Sequence, residues 1–237
     1  GASGYIGSHI VANLLSKGMR VRATVRDLED PERVAHLKSM DIAEGGDIEI
    51  VEMDLFDPES VNSAISGCTD LIHTAATVIV RSRDPQRKIV DPSVIGTRNV
   101  ISAVERSGTI ERFVHTSSTA AIRPMEWKDG SILTADIWAN DATLENNPYG
   151  LAKVSAEKIV RDWHASLESG TRPRLVTIHP CMVFGPPLSP RHLRGSLAIL
   201  MAMIRRTVPL SLPMQINIVD VRAVSYTHLR AHETQRY

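Results

Sequence analysis

Strand-like and helix-like apolar periods alternate along most of this 237-residue chain, and that alternation limits the fold more than any other feature. Apolar residues recur at helical spacing over 5–17 and stop at Gly18, while 19–26 (MRVRATVR) has the two-residue period of a strand. Further helices are expected at 31–40, 58–66, 90–107 and 148–168, and further strands at 47–52, 70–74, 112–116 and 174–179. Asp30 is placed to cap the second helix with Pro31 in its first turn, and Gly67 and Gly108 close the next two. Strands separated by whole helices pair in parallel, with the helices as crossovers, so the expected class is α/β.

The chain opens inside a glycine-rich turn, Gly1-Ala2-Ser3-Gly4-Tyr5-Ile6-Gly7, that runs directly into the first helix. Such a turn lets backbone N–H groups approach a pyrophosphate and aims the positive helix end at it. With the alternation, it predicts a Rossmann-type doubly wound parallel sheet whose first strand, due before Gly1, is missing. Residues 1–180 are expected to form the dinucleotide-binding domain, and 181–223, after the proline-rich stretch 180–190, a small truncated substrate lobe. Residues 224–237 resemble an in-frame translation of a transposase-type sequencing adapter and are expected to be a non-native tail. The His228/His232 pair, spaced like a helical metal site, is set aside with them, and no metal is expected.

The strand 19–26 ends about twenty residues after Gly7, where an acidic residue suits the ribose of NAD and an arginine suits a 2′-phosphate. Arg26 stands there, and its planar guanidinium matches a phosphate, so NADP is expected over NAD. Asp27 follows at once, and a one-residue shift of register reverses the preference. Asp54-Leu55, after the next strand, is positioned either to meet an adenine amino group or to make a turn. His73-Thr74-Ala75-Ala76 offers small side chains past which a cofactor could run, with Ala75 the candidate contact.

Composition excludes other classes. Lys plus Arg and Asp plus Glu both number 27, so no basic excess points to nucleic acid. Cys68 and Cys181 fit no metal or redox spacing and are expected to be reduced core thiols, in keeping with a cytoplasmic setting. The longest wholly apolar run, 197–204, is too short to span a bilayer, so no membrane partner is expected.

Tyr149 and Lys153 stand at i, i+4 on one face of the helix that starts near Pro148. A free phenol titrates near ~10, and a neighbouring ammonium lowers that value towards useful acid–base chemistry. The pair follows a strand ending His115-Thr116-Ser117-Ser118-Thr119, whose hydroxyls lie at the carboxyl edge of the sheet, where ligands of such folds bind.

Here the chain resembles the extended short-chain dehydrogenase/reductases, the NAD-dependent epimerase/dehydratase superfamily. The resemblance covers nearly everything from Gly1 to about Ala223. Gly1-x-x-Gly4-x-x-Gly7, with Tyr5 and Ile6, matches the cofactor motif, Tyr149-x-x-x-Lys153 the catalytic motif, and Ser118 the catalytic serine. The match implies that Tyr149 exchanges the proton, Ser118 polarises the carbonyl, and Lys153 holds the nicotinamide ribose and tunes Tyr149. The run 179–186 (HPCMVFGP) is similar to the family's loop beside the nicotinamide, which brings Pro180 and Val183 into the cofactor set. His179 replaces the usual Asn or Arg before that proline. The runs 21–27 (VRATVRD) and 94–100 (VIGTRNV) are similar to the dihydroflavonol reductase branch. Within the family, helices 90–107 and 148–168 are the surfaces that would pair in a homodimer.

The expected activity is therefore NADPH-dependent reduction of a small ketone or aldehyde. The alternatives are a nucleotide-sugar epimerase/dehydratase, a 3β-hydroxysteroid-type dehydrogenase, or a non-catalytic NADP-binding regulator. Arg26 and the Thr119-Ala120 that follow Ser118 weigh against the sugar enzymes, and retention of Tyr149 and Lys153 weighs against the regulator. The basic stretch 190–194 (PRHLR) suits an acidic or CoA-bearing substrate, or merely a solvated helix start.

Overall fold

In a computed structural model, the residues described are all but 77–78, 80–81, 128–129, 169, 171, 208–215 and 234–237. The elements run α1 (Tyr5–Leu15), β1 (Arg20–Val25), α2 (Pro31–Lys38), β2 (Asp47–Glu52), α3 (Pro58–Ile65), β3 (Asp70–His73), α4 (Asp91–Ser107) and β4 (Arg112–Thr116). They continue α5 (Thr119–Ile122), α6 (Pro148–Ser166), β5 (Arg174–Ile178), β6 (Met182–Phe184), α7 (Ser196–Ile204), β7 (Ile218–Asp220) and α8 (Val221–Glu233). Every strand pairing among the described residues is parallel: β1 with β2, β3 with β4, β4 with β5, and β6 with β7. The alternation in the sequence is thus realised as α/β architecture.

The chain divides into two compact units, one of Gly1–Glu52 with Pro180–Tyr237 and the other of Met53–His179. In the first, α1 and α2 cover β1, and Val11, Leu15, Ala23, Val25, Val34 and Leu37 form a buried cluster. The Asp30 side chain accepts from Glu32 N, with Pro31 in the first turn of α2. Gly18 turns the chain from α1 into β1 at φ +70, and a Cβ there would run into the Glu44 carbonyl, so only glycine fits. Residues 224–237, set apart by the sequence as a tail, carry α8 as far as Glu233. Val221, Val224, His228 and Leu229 recur at helical spacing and are buried, and Asn13 Nδ2 of α1 donates to Ser225 Oγ at 2.8 Å. Residues 234–237, which belong to the same reading, lie outside the described residues, as does the His232 side chain.

In the second unit, α3, α4 and α6 pack on β4 through Val61, Ile65, Val100, Val104, Phe113 and Val160. Gly108 ends α4 in the left-handed region at φ +60. A π-helical turn, Gln86–Val90, precedes α4 where the sequence led straight into a helix at 90. Pro92 lies in the first turn of α4 and has no N–H to continue a regular ladder backwards, which accounts for the break. Cys68 and Cys181 form no disulfide, and both are half-buried rather than in the core.

Candidate active site

Each catalytic candidate is placed by a separate local device in the second unit. Ser118 follows β4 in extended conformation (φ −162, ψ 154) and caps α5, its Oγ accepting from Ala120 N at 3.2 Å. Tyr149 and Lys153 lie in the first two turns of α6, which is capped by Asn147, whose Oδ1 accepts from Gly150 N at 2.9 Å. A Cβ on residue 150 would collide with that Asn147 side chain, so the cap and the glycine go together. Asn147→Ala is expected to cost about 1 kcal/mol of stability through loss of the cap. Urea denaturation measures it, and an unchanged midpoint would remove the cap from the account.

The Lys153 side chain is buried, its Nζ donating to the Thr116 carbonyl at 3.4 Å and lying 5.9 Å from the centre of the Tyr149 ring. Burial lowers this ammonium to about 8, against the opposing pull of Glu157. The expected lowering of the Tyr149 phenol does not occur. Burial raises it, and a hydrogen bond with Ser118 pulls the other way without prevailing. At neutral pH Tyr149 therefore carries its proton, as a donor to a forming alkoxide requires.

Behind Lys153 lies a network that the sequence motifs did not announce. Glu157 is fully buried one turn further along α6. Its carboxylate accepts from His179 Nε2 at 2.8 and 2.9 Å and from Arg161 Nε at 2.8 Å. Burial alone would raise this carboxyl, but the His179 hydrogen bond and charge, with Arg161, outweigh it and bring it to about 2. His179, the residue that departs from the family pattern, is thus tied to α6. The i, i+4 spacing of Lys153, Glu157 and Arg161 was the available signal.

Two other candidates lie in this unit with ordinary turn roles. Asp54 Oδ1 accepts from Phe56 N at 3.0 Å, and the Leu55 carbonyl accepts from Asn99 Nδ2 at 2.7 Å. Ala75 follows β3 in irregular backbone and is half-buried.

The remaining candidates lie in the first unit. Ala2 N donates to Thr24 O at 3.0 Å and ties the glycine turn to β1. Gly4 is the N-cap of α1 and has no side chain to cap it, so the first-turn N–H groups at Tyr5, Ile6 and Gly7 have no acceptor within the helix and suit an anion. A Cβ on Gly4 would sit 3.2 Å from the Gly1 carbonyl, which keeps the turn tight. Arg26 is exposed just beyond the last residue of β1, and among the described residues no ion pair engages it. Asp27 instead accepts from Glu29 N at 2.9 Å, folding its carboxylate into its own turn. An uncapped helix start and an exposed guanidinium at the end of the following strand fit a phosphorylated dinucleotide. Val183 is buried in β6 against Val221 and Val224, and Pro180 begins this part of the unit.

Of the basic stretch 190–194, Arg191 and His192 are engaged internally, while Arg194 is exposed. Arg191 pairs with Asp30 at 3.0 Å and Glu32 at 3.4 Å, and His192 Nε2 meets the Ser3 carbonyl at 3.2 Å. Among the described residues no group of His, Cys, Asp and Glu could hold a metal ion, and no helix is long and apolar enough to cross a membrane.

A glycine-capped helix beside a parallel strand pair, with a Ser–Tyr–Lys constellation on the chain that follows, defines a nucleotide-dependent oxidoreductase or epimerase fold. The chain belongs to the NAD dependent epimerase/dehydratase family, which it matches over residues 1–216. It is 34% identical over 242 residues to cinnamoyl-CoA reductase CAD2 of Medicago truncatula, covering 98% of this chain and 71% of that protein. It is 32% identical over 194 residues to anthocyanidin reductase of Arabidopsis thaliana, covering 79% of this chain and 55% of that one. Among solved structures it is similar to Gre2 of Candida albicans in complex with NADPH, at 28% identity and TM-score 0.81, covering 99% of this chain and 73% of that one.

Proposed function

We propose that this chain carries the cofactor and catalytic machinery of an NADPH-dependent carbonyl reductase. The observation that carries the reading is the Ser118–Tyr149–Lys153 arrangement, with a half-buried phenol that keeps its proton and a buried ammonium one turn along the same helix. When bound, NADPH supplies the hydride. Ser118 donates a hydrogen bond to the substrate oxygen as negative charge gathers there, and Tyr149 delivers its proton to that oxygen. Lys153 lies behind the phenol, where its charge stabilises the tyrosinate left after transfer. Residues 1–180 hold the cofactor and 181–223 contribute the substrate lobe, with 224–237 of non-native origin.

The reductases among the relatives, one of them solved with NADPH, support this reading over a sugar epimerase. The cofactor contacts assigned in this reading are Gly1, Gly4, Tyr5, Ile6, Gly7, Pro180 and Val183 in the first unit and Asp54, Leu55 and Ala75 in the second. Arg26 selects the 2′-phosphate. Arg26→Ser is expected to weaken NADPH about tenfold or more while leaving NADH unchanged, because a charge-assisted contact is lost. Fluorescence titration with both nucleotides checks this, and tighter binding of NADH by the unaltered chain would reverse the assignment. The cytoplasm and a homodimer through α4 and α6 belong to the same reading.

The activity itself is tested by substrate-dependent NADPH oxidation with aromatic acyl-CoA thioesters, dihydroflavonols and small aldehydes, beside nucleotide sugars. Turnover of a carbonyl compound supports the proposal. Conversion of a nucleotide sugar with no carbonyl reduction overturns it.

A further inference from the structure

Glu157 is fully enclosed, yet it touches neither Ser118 nor Tyr149 in any hydrogen bond among the described residues. A carboxylate so buried needs compensation from charge partners. Here the compensation comes from two directions. Arg161 reaches it from one turn further along α6, its Nη2 lying 2.7 Å from Oε1 and donating also to Thr177 Oγ1 of β5 at 3.1 Å. His179, at the end of β5, meets both oxygens. Lys153, one turn earlier on α6, is buried as well, and the Glu157 charge opposes the lowering that burial imposes on its ammonium.

We propose that Glu157 is a positioning residue for the reductase site: a single buried counter-ion shared by Lys153, Arg161 and His179, which keeps Lys153 charged and ties α6 to the end of β5. This rests on the catalytic reading of Lys153 given above. The groups that face the lysine are Tyr149 and Glu157 on α6, the Thr116 carbonyl and His115 on β4, and His73 on β3. His115 is buried and held neutral, brought down to about 3 by burial and the neighbouring Lys153 charge, and it stacks on His73 at 5.6 Å. A histidine supplies no negative charge in either protonation state, and Arg161 carries the wrong sign. Glu157 is the carboxylate that serves.

The sign of the effect follows. With Glu157 neutralised, the ammonium loses its attractive partner and keeps its burial and its cationic neighbours, so Lys153 gives up its proton at lower pH. Removing Arg161 instead relieves a repulsion, so Lys153 holds its proton to higher pH. A role confined to packing moves neither.

The chain has six lysines, few enough for the Lys153 resonance to be assigned by ¹³Cε-lysine labelling against a Lys153→Arg control. In Glu157→Gln the Lys153 midpoint, near 8 in the unaltered chain, is expected to fall by about one pH unit or more. It should return in Glu157→Asp and rise in Arg161→Met. The alkaline limb of kcat should move down with it in Glu157→Gln, leaving activity at low pH the least affected. An unchanged midpoint, or equal loss of activity at every pH, overturns the proposal. Should Glu157→Gln fail to fold, Arg161→Met decides alone: a midpoint that does not rise contradicts the shared counter-ion. The resonance titrates whether or not any carbonyl is reduced, so failure of the reductase reading and failure of this one are separable.

Discussion

Tyr149→Phe is expected to lower kcat for carbonyl reduction by about 10²- to 10⁴-fold while leaving the NADPH dissociation constant unchanged. Phenylalanine keeps the ring that lies beside Lys153 and removes only the hydroxyl. The lost group is the proton donor, and burial has raised its affinity for that proton, so water cannot replace it without entering a half-buried site. The glycine turn and Arg26 are untouched by the change, which is why binding and turnover separate. Stopped-flow reduction together with fluorescence titration measures the two quantities. A variant that binds NADPH normally and turns over at the original rate would remove Tyr149 from the mechanism. One that loses both equally would point to a structural role.

Phe113→Ala is expected to destabilise the protein by about 3–5 kcal/mol, a large part of the ~5–15 kcal/mol that holds a typical domain together. Phe113 is fully buried on β4, with ring contacts to Trp163 at 6.1 Å and His115 at 6.2 Å. Truncation leaves a cavity between β4 and the α4–α6 pair, which the parallel sheet cannot close by moving one strand. The same strand leads directly into Thr116, Ser117 and Ser118, so activity should fall at temperatures below the unfolding transition. Urea unfolding followed by tryptophan fluorescence gives the free energy. A loss under about 1 kcal/mol would show that the site collapses around the smaller side chain.

What was legible in the sequence was local. The strands Asp47–Glu52 and Arg112–Thr116 and the Asp30 cap of α2 lie where period and capping chemistry put them, because each is decided within a few residues. The Gly108 stop is of the same kind, since only the left-handed backbone has to be satisfied. The glycine turn, Ser118, Tyr149 and Lys153 were legible as a pattern of residue types. What escaped depended on partners distant in sequence. The Glu157–His179 pair joins residues of α6 and the end of β5, and no local period announces it. The direction of the Tyr149 shift is set by burial, which an i, i+4 spacing does not reveal. Arg191 looked available for a ligand and is instead held by Asp30 and Glu32, 161 and 159 residues away. Residues 224–237 were set aside on the origin of their sequence, yet α8 runs through them to Glu233, because burial follows side-chain chemistry alone and Leu229 is apolar and correctly spaced.

The central claim is that this chain reduces a carbonyl by hydride transfer, with Tyr149 supplying the proton. Incubation with NADPH deuterated at the transferable position of the nicotinamide, followed by mass spectrometry and NMR of the product, addresses it directly. The account predicts an alcohol carrying one deuterium on the former carbonyl carbon, formed in equal amount to NADP and abolished in Tyr149→Phe. Deuterium that stays in the nucleotide pool, or a product of unchanged oxidation level, would contradict it.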